Sequence, residues 1–170
     1  MKNKKVKLFV LTAIIVYTAI MIYFMFFWRR GTHSQHLYNL VPFKSIHEYF
    51  ETYIRYVKDT SDIPHYIYIF NLNLAFREFA VNIFGNIGMF IPYGILLALL
   101  FNGRFIKPLA IFGIGILTIE TVQLISRRGV FDIDDIILNT AGFLLGYAII
   151  KIIYKFIQKK NREDKQSDKI

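Results

Sequence analysis

The chain has 170 residues, of which 55% are hydrophobic and 17% aromatic, and its formal net charge is +9. This is too apolar for an ordinary soluble domain and too short for two domains, and the absence of cysteine excludes disulfides and thiolate metal sites. The basic residues flank apolar runs and accompany no base-reading motif, which excludes nucleic acid and makes membrane lipids, the anionic leaflet above all, the expected partner.

We predict a single all-α membrane domain over residues 1–170, with four spans. A bilayer core of about 30 Å needs about 20 apolar residues of helix to cross it. The first span is 8–28, free of charge and preceded by Lys2, Lys4, Lys5 and Lys7. It is too long for a signal peptide and ends in Trp28-Arg29-Arg30 instead of small residues, so it reads as an uncleaved anchor.

Residues 29–81 form the predicted outer loop. Its histidines at 33, 36, 47 and 65 lack a third ligand at metal spacing and read as solvated. Ser45 and Glu48 have the spacing of a capping box. Ile46, Tyr49, Phe50, Tyr53, Ile54 and Val57 then mark one apolar helical face. The spacing predicts a helix over 46–58 lying flat on the outer membrane surface. A turn follows at 59–64. The apolar run 66–76 is too short to cross and is compatible with a re-entrant piece, a surface helix or a strand.

The second span runs over about 82–101, the third over 108–125 and the fourth over 133–154. Thirteen Lys and Arg flank the spans on the side of the two termini and eight lie on the other, which predicts both termini in the cytoplasm. Pro92 lies inside the second span as a kink that neighbouring helices tolerate, and Gly113 and Gly115 read as packing residues.

Placing polar residues by depth gives the most informative pattern. With a rise of about 1.5 Å per residue, Asn86, Glu120 and Asn139 each fall roughly 6–9 Å below the outer boundary. Asn82 with Asn86, Glu120 with Gln123, and Asp135 with Asn139 are three or four apart, so each pair shares a helix face. Asp135, Asn139, Gly142 and Gly146 continue one stripe whose small residues allow another helix to approach closely. Arg127 and Arg128 sit in the loop above, placed to compensate buried carboxylates. Intramembrane ionisable groups mark functional sites, although the same layer also serves as polar glue between helices. Asp132, Asp134 and Asp135 offer oxygen ligands for a hard cation, but with no second ligand cluster we predict no metal and no cofactor.

These residues resemble the signatures of the VanZ family. Asn86, Phe90, Pro92 and Gly94 fit N-x-x-x-F-x-P-x-G. Asp132, Asp135, Asn139, Gly142 and Gly146 fit D-x-x-D-x-x-x-N-x-x-G-x-x-x-G. Glu120, Gln123 and Arg128 precede that pattern, and Asn39-Leu-Val-Pro42-Phe43 matches the family's outer-loop element. The resemblance covers roughly residues 37–150. It implies Asn86, Glu120, Gln123, Arg128, Asp132, Asp135 and Asn139 as the functional polar cluster, with Pro92, Gly94, Gly142 and Gly146 in helix packing. The basic pair leaves open which of Arg127 and Arg128 takes the family position.

The resemblance further implies a bacterial plasma-membrane protein of the cell envelope, since the family's named member is associated with teicoplanin resistance. The expected function is binding or shielding of a lipid-linked component, such as a cell-wall precursor, or of a lipoglycopeptide. One alternative is an intramembrane enzyme acting on a lipid headgroup, with Glu120 or Asp135 as base and Arg128 on a phosphate. No nucleophile–base–orienter set is legible for it. A small transporter is the other, without an inverted repeat to support it.

Overall fold

The computed structural model describes residues 4–28, 38–58 and 64–167. His33, His36, Arg29 and Arg30 lie outside them, as does most of the turn expected at 59–64. The chain is almost wholly helical. α1 is Lys4–Tyr23, extended by a π-helical turn at Phe24–Trp28. A two-residue strand β1, Tyr38–Asn39, precedes α2, Lys44–Lys58. α3, His65–Ala80, passes through a second π-helical turn, Val81–Gly85, into α4, Asn86–Leu100. α5 is Ile106–Ser126, β2 is Phe131–Asp132 and α6 is Ile133–Ser167.

Among the described residues, four helices are long and apolar enough to cross a membrane: Lys4–Phe26, His65–Leu100, Ile106–Ser126 and Ile133–Asn161. The large apolar side chains of α1 and α5, such as Leu8, Phe9, Ile114 and Ile125, are mostly exposed, as expected of surfaces that face lipid.

The second of these helices departs from the sequence expectation. Residues 65–80 are not a separate loop piece but a helix continuous with the span. At about 1.5 Å per residue, 36 residues reach about 54 Å, well beyond a hydrocarbon core of about 30 Å. Pro64 starts the helix, where its missing N–H is harmless, and no Pro or Gly interrupts it before Gly85. The polar residues Asn71, Asn73, Arg77 and Glu78 hide this continuity from an apolar-run criterion.

α4 and α6 form the centre. They run parallel, and their backbones meet directly. A Cβ on Gly142 would collide with the Ile87 carbonyl, one on Gly146 with the Ile91 carbonyl, and one on Gly94 with the Phe143 carbonyl. Such closeness places Cα–H groups against carbonyls and multiplies dispersion contacts, the main attraction available between helices in lipid. α5 is held differently, by rings. Phe112 stacks on Phe143 with centroids 4.5 Å apart and meets the edge of Phe90 at 5.6 Å. Phe105 meets Tyr147 at 5.1 Å. α1 crosses α4 near the Pro92 turn, where the Tyr17 hydroxyl donates to the Met89 carbonyl at 2.7 Å. Nothing within 4 Å would meet a Cβ on Gly113 or Gly115, so these two do not act as packing residues within the chain.

The amphipathic helix expected over 46–58 is present as α2. Its aromatic stripe lies against α3: Tyr53 stacks on Phe79 at 5.8 Å and lies 5.7 Å from Phe76, while Phe50 approaches Phe79 at 6.2 Å. The long α3 thus provides a protein partner for the face that the sequence assigned to the membrane surface.

Candidate functional site

The end of the bundle bearing α2 and the α5–α6 turn is organised by three neighbouring aspartates. Asp132 is the N-cap of α6. Its Oδ1 accepts from the Asp134 backbone N–H at 2.9 Å and from Asn39 Nδ2 at 3.3 Å, and its Oδ2 accepts from the Ser45 hydroxyl. Asn39 Nδ2 also donates to Ser45 Oγ at 2.9 Å, and its Oδ1 accepts from the Val41 backbone. β1 pairs in parallel with β2, Tyr38 beside Phe131 and Asn39 beside Asp132. The outer-loop element is thereby fastened to the start of α6.

Asp134, only 1% exposed, is the second fastening. Its carboxylate accepts from the backbone N–H groups of Phe43, Ser45 (2.8 Å) and Ile46 (3.2 Å). Phe43 adopts a left-handed backbone, φ 64°, which bends the chain so that these donors converge. The capping box is therefore replaced. Ser45 does not act as a simple N-cap, and Glu48 lies 3.9 Å from Lys44 instead of reaching back. A carboxylate from α6 caps α2 across the fold, as charge near a helix N-terminus favours. Because Asp132 and Asp134 meet N–H and O–H donors, their oxygens face positive dipoles. That arrangement is opposite to what a cation site requires.

Asp135 points to the other side, and its Oδ1 accepts from Asn86 Nδ2 at 2.6 Å. This bond joins α6 to the first turn of α4, just beyond the π-helical turn at Val81–Gly85. Such π-turns recur at functional positions because they re-aim the side chains that follow. Asn82 lies in the π-helical turn, and its amide donates to the Glu78 carbonyl of its own helix at 2.8 Å.

Asn86, Glu120, Gln123 and Asn139 are 6%, 0%, 3% and 1% exposed. Each continues a buried stripe: Asn86 above Phe90 on α4, Asn139 above Phe143 on α6, and Glu120 and Gln123 above Phe112 and Ile116 on α5. Phe112 packs against both Phe90 and Phe143, so the three stripes carrying the polar groups face a common aromatic layer. Asn139 Oδ1 has no hydrogen-bond partner among the described residues. The Tyr147 hydroxyl, deeper in the bundle, has none there either.

Two polar groups instead reach the end of α1. Gln123 Nε2 lies 3.4 Å from the Met25 carbonyl and Arg128 Nη1 lies 3.4 Å from the Phe26 carbonyl, both in the π-helical turn. Arg127 closes α5 with a left-handed backbone, φ 53°, and the Arg128 N–H donates to the Gln123 carbonyl at 3.1 Å. This is a Schellman-type end with arginine where glycine is usual. Of the two arginines, Arg128 therefore extends toward the bundle and Arg127 forms the turn.

The hydrogen bonds thus divide the seven sequence-selected residues. Asn86 is joined to Asp135, Gln123 and Arg128 reach α1, and Asp132 belongs to the fastening of the outer element. Sequence reasoning missed the roles of Asn39, Ser45 and Asp134 in that fastening. The alternation of Asp132 and Asp134 was the available signal, because it suits a cap followed by a trans-capping carboxylate. The contributions of Met25 and Phe26 come from backbone carbonyls and left no sequence signal.

The architecture defines a class: a multi-pass helical membrane protein whose parallel central helix pair carries a buried polar layer at one end. Residues 9–154 match the VanZ/LLP1 family, and the chain belongs to it. No curated protein and no solved structure matches the chain.

Proposed function

We propose that this protein acts at the outer leaflet of a bacterial plasma membrane. There its polar layer binds or shields a lipid-linked envelope component and lowers sensitivity to teicoplanin-type lipoglycopeptides. The supporting observation is the burial of Asn86, Glu120, Gln123 and Asn139 on stripes facing one aromatic layer, with Asn139 Oδ1 lacking a partner among the described residues. Buried polar atoms are nearly always hydrogen-bonded, so a spare acceptor in such a layer suits the hydroxyl or amide of a ligand. The excess of Lys and Arg on the side of the termini supports placing the α2 end outside.

The test is expression in a susceptible bacterium, with susceptibility measured to teicoplanin and to a glycopeptide without a lipid tail. We expect protection against the lipid-tailed compound alone. Equal protection against both, or none, would count against the reading.

A further inference from the structure

The opposite end of the bundle holds a cavity of about 520 Å³ between the start of α1 and the turn joining α4 to α5. Three cationic side chains line it: Lys7 from α1, Arg104 from the turn and Lys107 from the first turn of α5. Its remaining wall includes Leu11, Leu100 and Phe101. We infer that this cavity binds the headgroup of an anionic phospholipid of the leaflet on the side of the termini, with the phosphate among the three cations and the first acyl carbons on the apolar wall.

The fold assembles the cations through a left-handed turn that asparagine and glycine adopt readily. Asn102 and Gly103 both take left-handed backbones, φ 53° and 73°, and the Gly103 N–H donates to the Ala98 carbonyl at 2.9 Å. This tight helix end folds the chain back at once, so Arg104 and Lys107 return to the side where Lys7 arrives. Among the described residues, no carboxylate pairs with any of the three. Like charges gathered in a partly enclosed space repel, and an anion between them reverses the sign of that interaction. The N-terminus of α5 opens on the same rim with no side-chain cap, which adds the positive end of a helix dipole. The lining selects the source of the anion. Free phosphate would use the cations only, whereas a phospholipid also covers Leu11, Leu100 and Phe101. Lys7 and Lys107 are exposed, so a headgroup at the membrane boundary has access.

The experiment uses the full chain purified in a neutral maltoside detergent, with thermal unfolding followed by far-ultraviolet circular dichroism. Dioctanoyl phosphatidylglycerol, dioctanoyl phosphatidylcholine and inorganic phosphate are titrated separately. Phosphatidylglycerol should raise the melting temperature saturably, and the other two should not. The triple variant Lys7→Gln, Arg104→Gln, Lys107→Gln should need on the order of a hundredfold more phosphatidylglycerol. Removing the same charge from α6 by Lys155→Gln, Lys159→Gln and Lys160→Gln should leave the titration unchanged. Equal losses in the two variants would reduce the effect to diffuse attraction and overturn the site. Phosphatidylcholine acting as well as phosphatidylglycerol would overturn the role of charge, and phosphate acting as well would overturn the lipid. Should the triple variant fail to fold, Lys107→Gln alone must weaken the phosphatidylglycerol titration, and an unchanged midpoint would overturn the proposal.

Discussion

Single residues at the α2 end divide into those that hold the fold and those that the proposed function assigns to a ligand. Asp134 belongs to the first group, because three backbone N–H groups of the α2 entry converge on its carboxylate. Asp134→Ala leaves these partly buried donors without their acceptor, at a cost of about 1–3 kcal/mol for each that water cannot reach. Hydrogen exchange at the amides of Ser45 and Ile46 should accelerate strongly while α4 stays protected; unchanged exchange would refute the fastening. Arg127 offers a test of the opposite sign. Its left-handed backbone costs an L-residue about 1 kcal/mol that glycine does not incur. Arg127→Gly should therefore raise the melting temperature slightly and leave function intact, whereas Arg128→Gln removes the group that reaches the Phe26 carbonyl. A loss of function on Arg127→Gly would reassign the arginine. The sequence named Asp132, Asp134 and Asp135 as a trio and Arg127 and Arg128 as a pair. It did not separate their roles, because neighbours on a helix start or in a turn diverge through backbone direction, which composition does not encode.

Among the elements, the spans were legible wherever apolar length alone decides. The stripe of Asp135, Asn139, Gly142 and Gly146 was legible because four-residue spacing marks one helical face. The structure adds what that stripe meets, the carbonyls of Ile87 and Ile91 on α4. Gly142→Ala and Gly146→Ala should each destabilise by about 1–3 kcal/mol, since the obstructing atoms are backbone and move only if the helices separate. Gly113→Ala, which meets nothing within 4 Å, should be neutral or slightly stabilising through helix propensity. Similar melting temperatures for all three variants would contradict the close α4–α6 pairing. The segment 66–76 was not legible as part of the span, because Arg77 and Glu78 end its apolar run while leaving helix geometry intact. Spin labels at Tyr66 and Phe84, both exposed, should lie roughly 27 Å apart along one continuous helix. A markedly shorter distance would indicate a re-entrant fold.

At the scale of the whole molecule, two ends with different chemistry emerge from one bundle. The α2 end concentrates carboxylates and amides at the faces shared by α4, α5 and α6, and the terminal end concentrates cations around a cavity. Matched depth singled out Asn86, Glu120, Gln123 and Asn139 in the sequence, and all four are buried in the structure. The internal wiring of this polar layer was not legible, because hydrogen bonds such as Asn86 to Asp135 depend on rotation about each helix axis. Packing alone would be served by fewer charged groups, and in the proposed function the layer acts on a ligand. Glu120 discriminates best: it is fully buried, and Glu120→Gln keeps its size and shape while removing its ionisable carboxyl group. The decisive measurement is teicoplanin susceptibility of cells carrying Glu120→Gln at an accumulation level equal to the wild type. Protection should be lost in a protein that inserts and melts normally. Full protection by that variant, or a loss accompanied by misfolding alone, would contradict the proposed function and leave the layer as a structural link between helices.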